Sequence, residues 1–182
     1  MNESLIRSGT RQILKGLLGK EWNADPNYED TPNRVARFYA EMFRKRDATL
    51  TTFEEEHHGQ MVILSHHRDT TLCPHHLLPV FLDISLAYIP DKHVLGLSKL
   101  VRLVQAHFEE PILQEALTDS IVEELTTRVS PAGAVCLIYG THTCMQIRGP
   151  KTTACAITTA VRGVFSDDVA LRKTFYDLVR RP

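Results

Sequence analysis

The sequence predicts an α+β protein built on an antiparallel sheet. Apolar residues recur at helical spacing in some segments and alternate in others. The segments follow one another as two helices, two strands, two helices, two strands and a closing helix. Paired strands are thus segregated from paired helices. A length of 182 residues holds one domain, or one domain with a helical appendage, and is enough to bury a core.

Each element has its own signal. Leu5, Ile6, Ile13, Leu14, Leu17 and Leu18 predict a helix over 3–18, stopped by Gly19. Thr31 as N-cap and Pro32 at the first helical position begin a second helix. It carries Val35, Phe38, Tyr39, Met42 and Phe43 and ends near Arg46. The polar residues 47–60 read as a loop. A strand starts at Met61 and runs toward Cys73. Val80, Leu82, Ile84, Leu86 and Tyr88 alternate as in a half-buried strand, closed by Ile89-Pro90-Asp91. Ser98 reads as the cap of a helix bearing Leu100, Leu103, Val104 and Phe108. Pro111 breaks it and starts another, with Leu113, Ala116, Leu117, Ser120, Ile121 and Leu125 inward. Ala134 to Tyr139 is a short apolar strand. Cys155, Ile157, Thr159, Val161 and Phe165 alternate in the last strand, and 167–181 close the chain as a helix around Leu171, Phe175 and Leu178. The chain divides into a helical region, 1–58, and a sheet domain, 59–182. Four strands leave open edges, which are usually covered or paired with another subunit, so an oligomer is expected.

Composition narrows the function classes. Lys plus Arg total 21 against 22 Asp plus Glu, a formal charge of −1, so the chain has no global basic surface for nucleic acid or an anionic membrane. A hydrophobic fraction of 43% with 24% charged residues excludes disorder. No segment reaches the roughly 20 apolar residues of a transmembrane helix. The N-terminal residues lack the pattern of a secretory signal, so a cytoplasmic protein is expected. There, four Cys read as thiols or metal ligands rather than disulfides.

The four Cys and nine His are the unusual part of the composition. Cys73-Pro74-His75-His76 offers a thiolate and an imidazole at C-x-x-H spacing. His142-Thr143-Cys144 stands at the end of an apolar strand. A lone C-x-x-H is a weak signal, because buried Cys and partly buried His are common. Together, Cys73, His76 and Cys144 form a set of two thiolates and one imidazole suited to Zn²⁺. Three protein ligands leave a fourth position open, as in catalytic zinc sites. Cys136 and Cys155 fall in strand patterns and read as small apolar fillers. His57, His58, His66 and His67 read as solvated imidazoles rather than a second metal cluster. His93 and His107 show no partner in the sequence. Placed cations form the other feature. Lys99 and Arg102 lie one turn apart at a helix start, Arg148 follows the second Cys segment, and Arg34 and Arg37 are one turn apart on the second helix. Singly each reads as a solvated charge, and as a set they are consistent with a phosphate site. A Walker A loop and a G-x-G-x-x-G fingerprint are absent from the sequence.

The run LCPHHLLPVFLDISLAYIPDKHVLGLSKLVRLVQ, then PILQEALTDSI, then HTCMQIRG, resembles the GTP cyclohydrolase I family. The resemblance starts near Asp30-Thr31-Pro32, reaches the final helix, and covers about 150 residues. It implies the tunnelling fold, with barrel-forming subunits assembled as a decamer of two pentamers. It implies hydrolytic opening of the purine ring of GTP, release of formate, and rearrangement to 7,8-dihydroneopterin triphosphate in pterin or tetrahydrofolate biosynthesis. By motif it implies Cys73, His76 and Cys144 as zinc ligands and His75, His142 and Ser98 as catalytic proton carriers. It also implies Gln114 and Glu115 at the guanine, with the Glu115 carboxylate accepting two parallel N–H bonds. Ser98, Lys99, Arg102 and Arg148 fall on the ribose and triphosphate side. Arg34 and Arg37 would reach the triphosphate from a neighbouring subunit. Pro74 departs from the family pattern, which has Glu there, and removes a carboxylate from the site's edge. Other tunnelling-fold chemistry, such as nitrile reduction in queuosine metabolism, arrest at the ring-opened formamide, and a regulatory purine-binding oligomer are the competing readings.

Overall fold

The computed structural model of the chain describes residues 1–46, 49–54 and 59–180. It contains two compact units, Met1–Lys45 and Arg46–Pro182. The first is shorter than the helical region expected over 1–58, because residues 52–54 pair as a strand inside the second unit.

The first unit holds α1 (Glu3–Leu18), a 3₁₀ turn at Trp22–Ala24, α2 (Pro26–Glu29) and α3 (Thr31–Met42). The Asn2 side chain accepts the Leu5 N–H at 3.1 Å and caps α1, and Gly19 at φ +89° ends it. Helix α1 packs on α3, with Leu14 and Ala36 buried. The residue flanking α3 is Asp30 rather than Thr31, and the helix stops at Met42 rather than near Arg46. Offsets of one residue at a helix start are usual.

The second unit comprises β1 (Thr52–Glu54), β2 (Val62–Leu72), β3 (Pro79–Ile89), β4 (His93–Leu95), α4 (Leu97–Ala106), α5 (Gln114–Val129), β5 (Gly133–His142), α6 (Thr143–Gln146), β6 (Ala156–Gly163), α7 (Val164–Asp167) and α8 (Val169–Leu178). Strands β2-β3-β5-β6 form the expected four-stranded antiparallel sheet, with α4 and α5 between its strand pairs. Strands β1 and β4 add a two-stranded antiparallel ribbon that sequence patterning did not reveal. At three residues each they are too short to show a period. Helix α4 starts at Leu97 with Gly96 flanking it, so Ser98 lies in the first turn and is not the cap.

Strand β3 is covered on both faces. Val80, Leu82, Ile84, Leu86 and Tyr88 meet Leu100, Leu103 and Val104 of α4 and Leu117, Ile121, Val122 and Leu125 of α5. Each fully buried Leu, Ile or Val contributes about 1.5–3 kcal/mol. On the opposite face Ala87 and Ile89 join Val135, Leu137, Phe165, Phe175 and Val179. The half-buried reading of this strand fails because its alternate residues, Asp83, Ser85 and Ala87, are buried although small or polar. Asp83 faces His66 Nδ1 at 3.2 Å, at a bulge in β2 where His66 takes φ +54°. Cys136 is the apolar filler expected, and burial pushes its thiol far up. Cys155 is not, since it is exposed and precedes β6. Phe165 belongs to α7 rather than the last strand, and Leu113, Ala116 and Leu178 face outward. His107 has partners after all: its Nε2 lies 2.9 Å from Glu124 Oε2 and its Nδ1 3.4 Å from Ser120 Oγ. His57 and His58 lie outside the described residues.

Gly133 and Gly163 oppose one another where β5 meets β6. Gly163 takes φ +60°, and a Cβ there would overlap the Ala132 carbonyl oxygen. Gly163→Ala should therefore destabilise the protein by at least about 2 kcal/mol, read as a lowered midpoint in denaturant unfolding. An unchanged midpoint would contradict this packing.

Candidate metal centre

The sheet register assembles the site. Strands β2 and β3 are joined by a tight turn in which the Cys73 N–H donates to Leu78 O at 2.9 Å. The Cys73 carbonyl accepts the N–H groups of His76 (3.3 Å) and Leu77 (2.8 Å). This turn presents Cys73, His75 and His76 together, and Leu77 absorbs the reversal at φ +52°. Pro74 occupies the second position of the turn, where a fixed φ near −65° is favoured. Strand β3 then pairs with β5, and Val80 stands opposite His142. The end of β5 therefore arrives beside the turn. Thr143 donates its hydroxyl to Pro79 O at 2.7 Å and ties the start of α6 to β3. Cys144, one residue on, is buried next to Cys73.

Among the described residues, Cys73, His76 and Cys144 form a group whose ligand atoms all lie within 4.8 Å of one another. Cys73 Sγ is 3.6 Å from His76 Nδ1 and 3.8 Å from His75 Nδ1. Burial, then the hydrogen bond and negative charge of Cys73, push the Cys144 thiol up. Two thiolates this close repel unless a cation lies between them, so the donor set fits a divalent metal that accepts sulfur and nitrogen. The Arg148 guanidinium donates to His76 Nε2 at 2.6 Å. An imidazole that ligates through Nδ1 carries its proton on Nε2, so Arg148 must release this contact for His76 to ligate in that way.

The trio opens on a cavity of about 220 Å³ lined by Thr71, Pro74, His75, Gln114, Glu115, His142, Met145 and other apolar residues. Gln114 and Glu115 arrive from the first turn of α5, which packs on β5 and β6. Glu115 is an exposed carboxylate on the cavity wall. Gln114 is buried: its Nε2 donates toward Ile138 O (3.1 Å), Ala156 O (3.2 Å) and Thr158 Oγ1 (3.1 Å), and its Oε1 lies 2.9 Å from His142 Nε2. Burial pushes the His142 imidazole below its ordinary range, and the Glu115 carboxylate opposes that shift.

The structure thus brings seven of the thirteen sequence-predicted residues to one cavity: Cys73, His75, His76, Gln114, Glu115, His142 and Cys144. Arg148 touches it through His76. Ser98, Lys99 and Arg102 lie on α4 and do not line it. Arg34 and Arg37 belong to the first unit, where both pair with Asp30, at 3.5 and 3.1 Å. Thr71 was missed. Its hydroxyl is buried without a hydrogen-bond partner on the cavity wall. Strand periodicity carries the signal, because Thr71 lies two residues before Cys73.

Comparison with known proteins agrees with this geometry. The family model described as GTP cyclohydrolase I matches residues 6–180. The chain is 38% identical to the GTP cyclohydrolase 1 of Aquifex aeolicus strain VF5, over 99% of this chain and 98% of that protein. It is 37% identical to the GTP cyclohydrolase 1 of Bacillus subtilis strain 168, over 100% and 97%. It is 39% identical to that of Desulforamulus reducens, over 97% and 96%. The chain belongs to the GTP cyclohydrolase I family.

Proposed function

We propose that this protein hydrolytically opens the purine ring of GTP, releases formate, and forms 7,8-dihydroneopterin triphosphate, with Zn²⁺ held by Cys73, His76 and Cys144. One observation carries the reading: two thiols, three imidazoles and a carboxylate converge on one cavity in a chain of this family. When bound, the metal supplies Lewis acidity and a water made acidic enough to attack near neutral pH. The protein's own groups do the rest. Glu115 accepts the parallel N–H groups of the guanine edge and sets the orientation of the base. His142, partly buried, exchanges a proton with the purine ring as it opens, and His75 serves the later proton transfers of the ribose rearrangement with Ser98. The cavity takes a two-ring base, while the triphosphate extends toward Arg148, Lys99 and Arg102. Arg34 and Arg37 reach it from a neighbouring subunit.

That last assignment requires an oligomer. Strands β2 and β6 are the outer strands of the sheet, and Phe81 and Ile157 leave more than half of their surfaces exposed (53% and 58%). Both features suit pairing with further copies, as in the family's expected decamer. No helix among the described residues is long and apolar enough to cross a membrane. The cytoplasm, where thiols stay reduced and GTP is present, is the compartment that suits this chemistry.

Incubation of zinc-loaded protein with GTP, with formate and oxidised-pterin fluorescence measured together, tests the reaction. Equimolar formate and pterin are expected. Formate without pterin would mean arrest at a ring-opened stage, and tight GTP binding without formate would mean a regulatory binder. An NADPH requirement would point to the reductases that share this fold. Cys144→Ala should lower bound zinc, measured by elemental analysis, from about one per chain to less than a tenth of that, and formate release with it. Wild-type turnover by metal-free Cys144→Ala protein would refute the ligand assignment. Glu115→Gln replaces a charge-assisted acceptor, so kcat/KM for GTP should fall roughly 10- to 100-fold while zinc content stays unchanged.

A further inference from the structure

The hydrogen-bond network around Gln114 determines more than its own position. Thr118 donates its hydroxyl to the Gln114 carbonyl oxygen at 2.7 Å. Its Oγ1 lies 2.6 Å from Thr158 Oγ1, and with the Thr118 proton already used, Thr158 is the donor of that pair. Thr158 is then left with lone pairs only, and accepts from Gln114 Nε2 at 3.1 Å. The remaining acceptors near that nitrogen, Ile138 O and Ala156 O, are backbone carbonyls and can never donate. The amide therefore has one orientation. Turned over, it would place its oxygen against two carbonyl oxygens in a buried site, where that repulsion has no compensating donor.

With the amide fixed, Gln114 Oε1 faces His142 Nε2 as a pure acceptor, at 2.9 Å. A 2.9 Å contact between an amide oxygen and a bare imidazole nitrogen would be repulsive, so the nitrogen must carry the proton. Gly140 makes the approach possible. It shares a strand face with His142, two residues away, and a Cβ there would overlap Gln114 Oε1. Gln114 fills the space that the missing side chain leaves.

We infer that Gln114 is a positioning residue which holds His142 as the Nε2–H tautomer and leaves Nδ1 as the atom that exchanges a proton with the substrate. A proton given up by the doubly protonated ring leaves from Nδ1, and the product is the same Nε2–H form that Gln114 stabilises. The ring then neither flips nor changes tautomer between turnovers. This assigns Gln114 to the histidine rather than to the guanine.

Neutron crystallography of the protein at mildly alkaline pD observes the tautomer directly. Deuterium on His142 Nε2 with none on Nδ1 is expected, and deuterium on Nδ1 with a bare Nε2 would overturn the inference. The kinetic counterpart rests on the reading of the preceding subsection. Gln114→Met keeps the volume and loses the acceptor, so kcat should fall roughly 10- to 100-fold with KM for GTP changed less than about 3-fold. Gly140→Ala, which displaces the same amide, should show the same split. A rise in KM exceeding the fall in kcat would make Gln114 a substrate ligand and overturn its positioning role. A protein inactive on GTP whose His142 nonetheless carries deuterium on Nε2 would remove the proposed reaction and leave the tautomer standing.

Discussion

The site depends on one register: β3 against β5, with Val80 opposite His142. Side chains on a strand alternate between faces, so a slip of one residue would turn the end of β5 over. His142 would then leave the cavity, and Cys144 would lose Cys73. The register is held by burial on both sides of the pair. Val80, Leu82, Ile84 and Leu86 pack on the helices of one face, and Ala87, Val135 and Leu137 pack beneath Phe165 and Phe175 on the other. Exposing any of these side chains costs more than a single hydrogen bond recovers. The chemistry at the strand end is positioned by an apolar core that takes no part in it.

That arrangement also explains the unequal environments of the site's titratable groups. Cys73 and Cys144 are buried, whereas His75 and His76 are exposed at the turn. Buried thiols near each other favour a bound cation, and exposed imidazoles leave it accessible to solvent and substrate. His142 lies between these extremes, with Gln114 behind it and Glu115 nearby. Burial pushes this imidazole down, and the Glu115 carboxylate opposes that shift.

Much of this was legible in the sequence, for a physical reason. The helices α1, α3, α4, α5 and α8 and the strands β3 and β6 could be read from spacing, and β2 and β5 from their apolar runs. The ribbon of β1 and β4 could not, because three residues have no period. The burial of β3 on both faces was hidden by Asp83 and Ser85, whose partners His66 and the β2 backbone are distant in sequence. The Cys73-His76-Cys144 group, which could hold a metal ion, was legible because its residue types are rare and sit at strand ends. The Gln114–Gly140–His142 relation was not, since it depends on which face a strand turns toward a helix. The cations of α4 and α3 were legible as charges, and none of Lys99, Arg102, Arg34 and Arg37 lines the cavity.

X-ray absorption at the zinc edge of the loaded protein tests the central claim most directly, namely that the β3–β5 register builds a metal centre from Cys73, His76 and Cys144. Two sulfur neighbours at about 2.3 Å and one imidazole nitrogen at about 2.0 Å, completed by one further light atom, are the predicted shell. A shell without sulfur, or one made of four sulfurs, would contradict it.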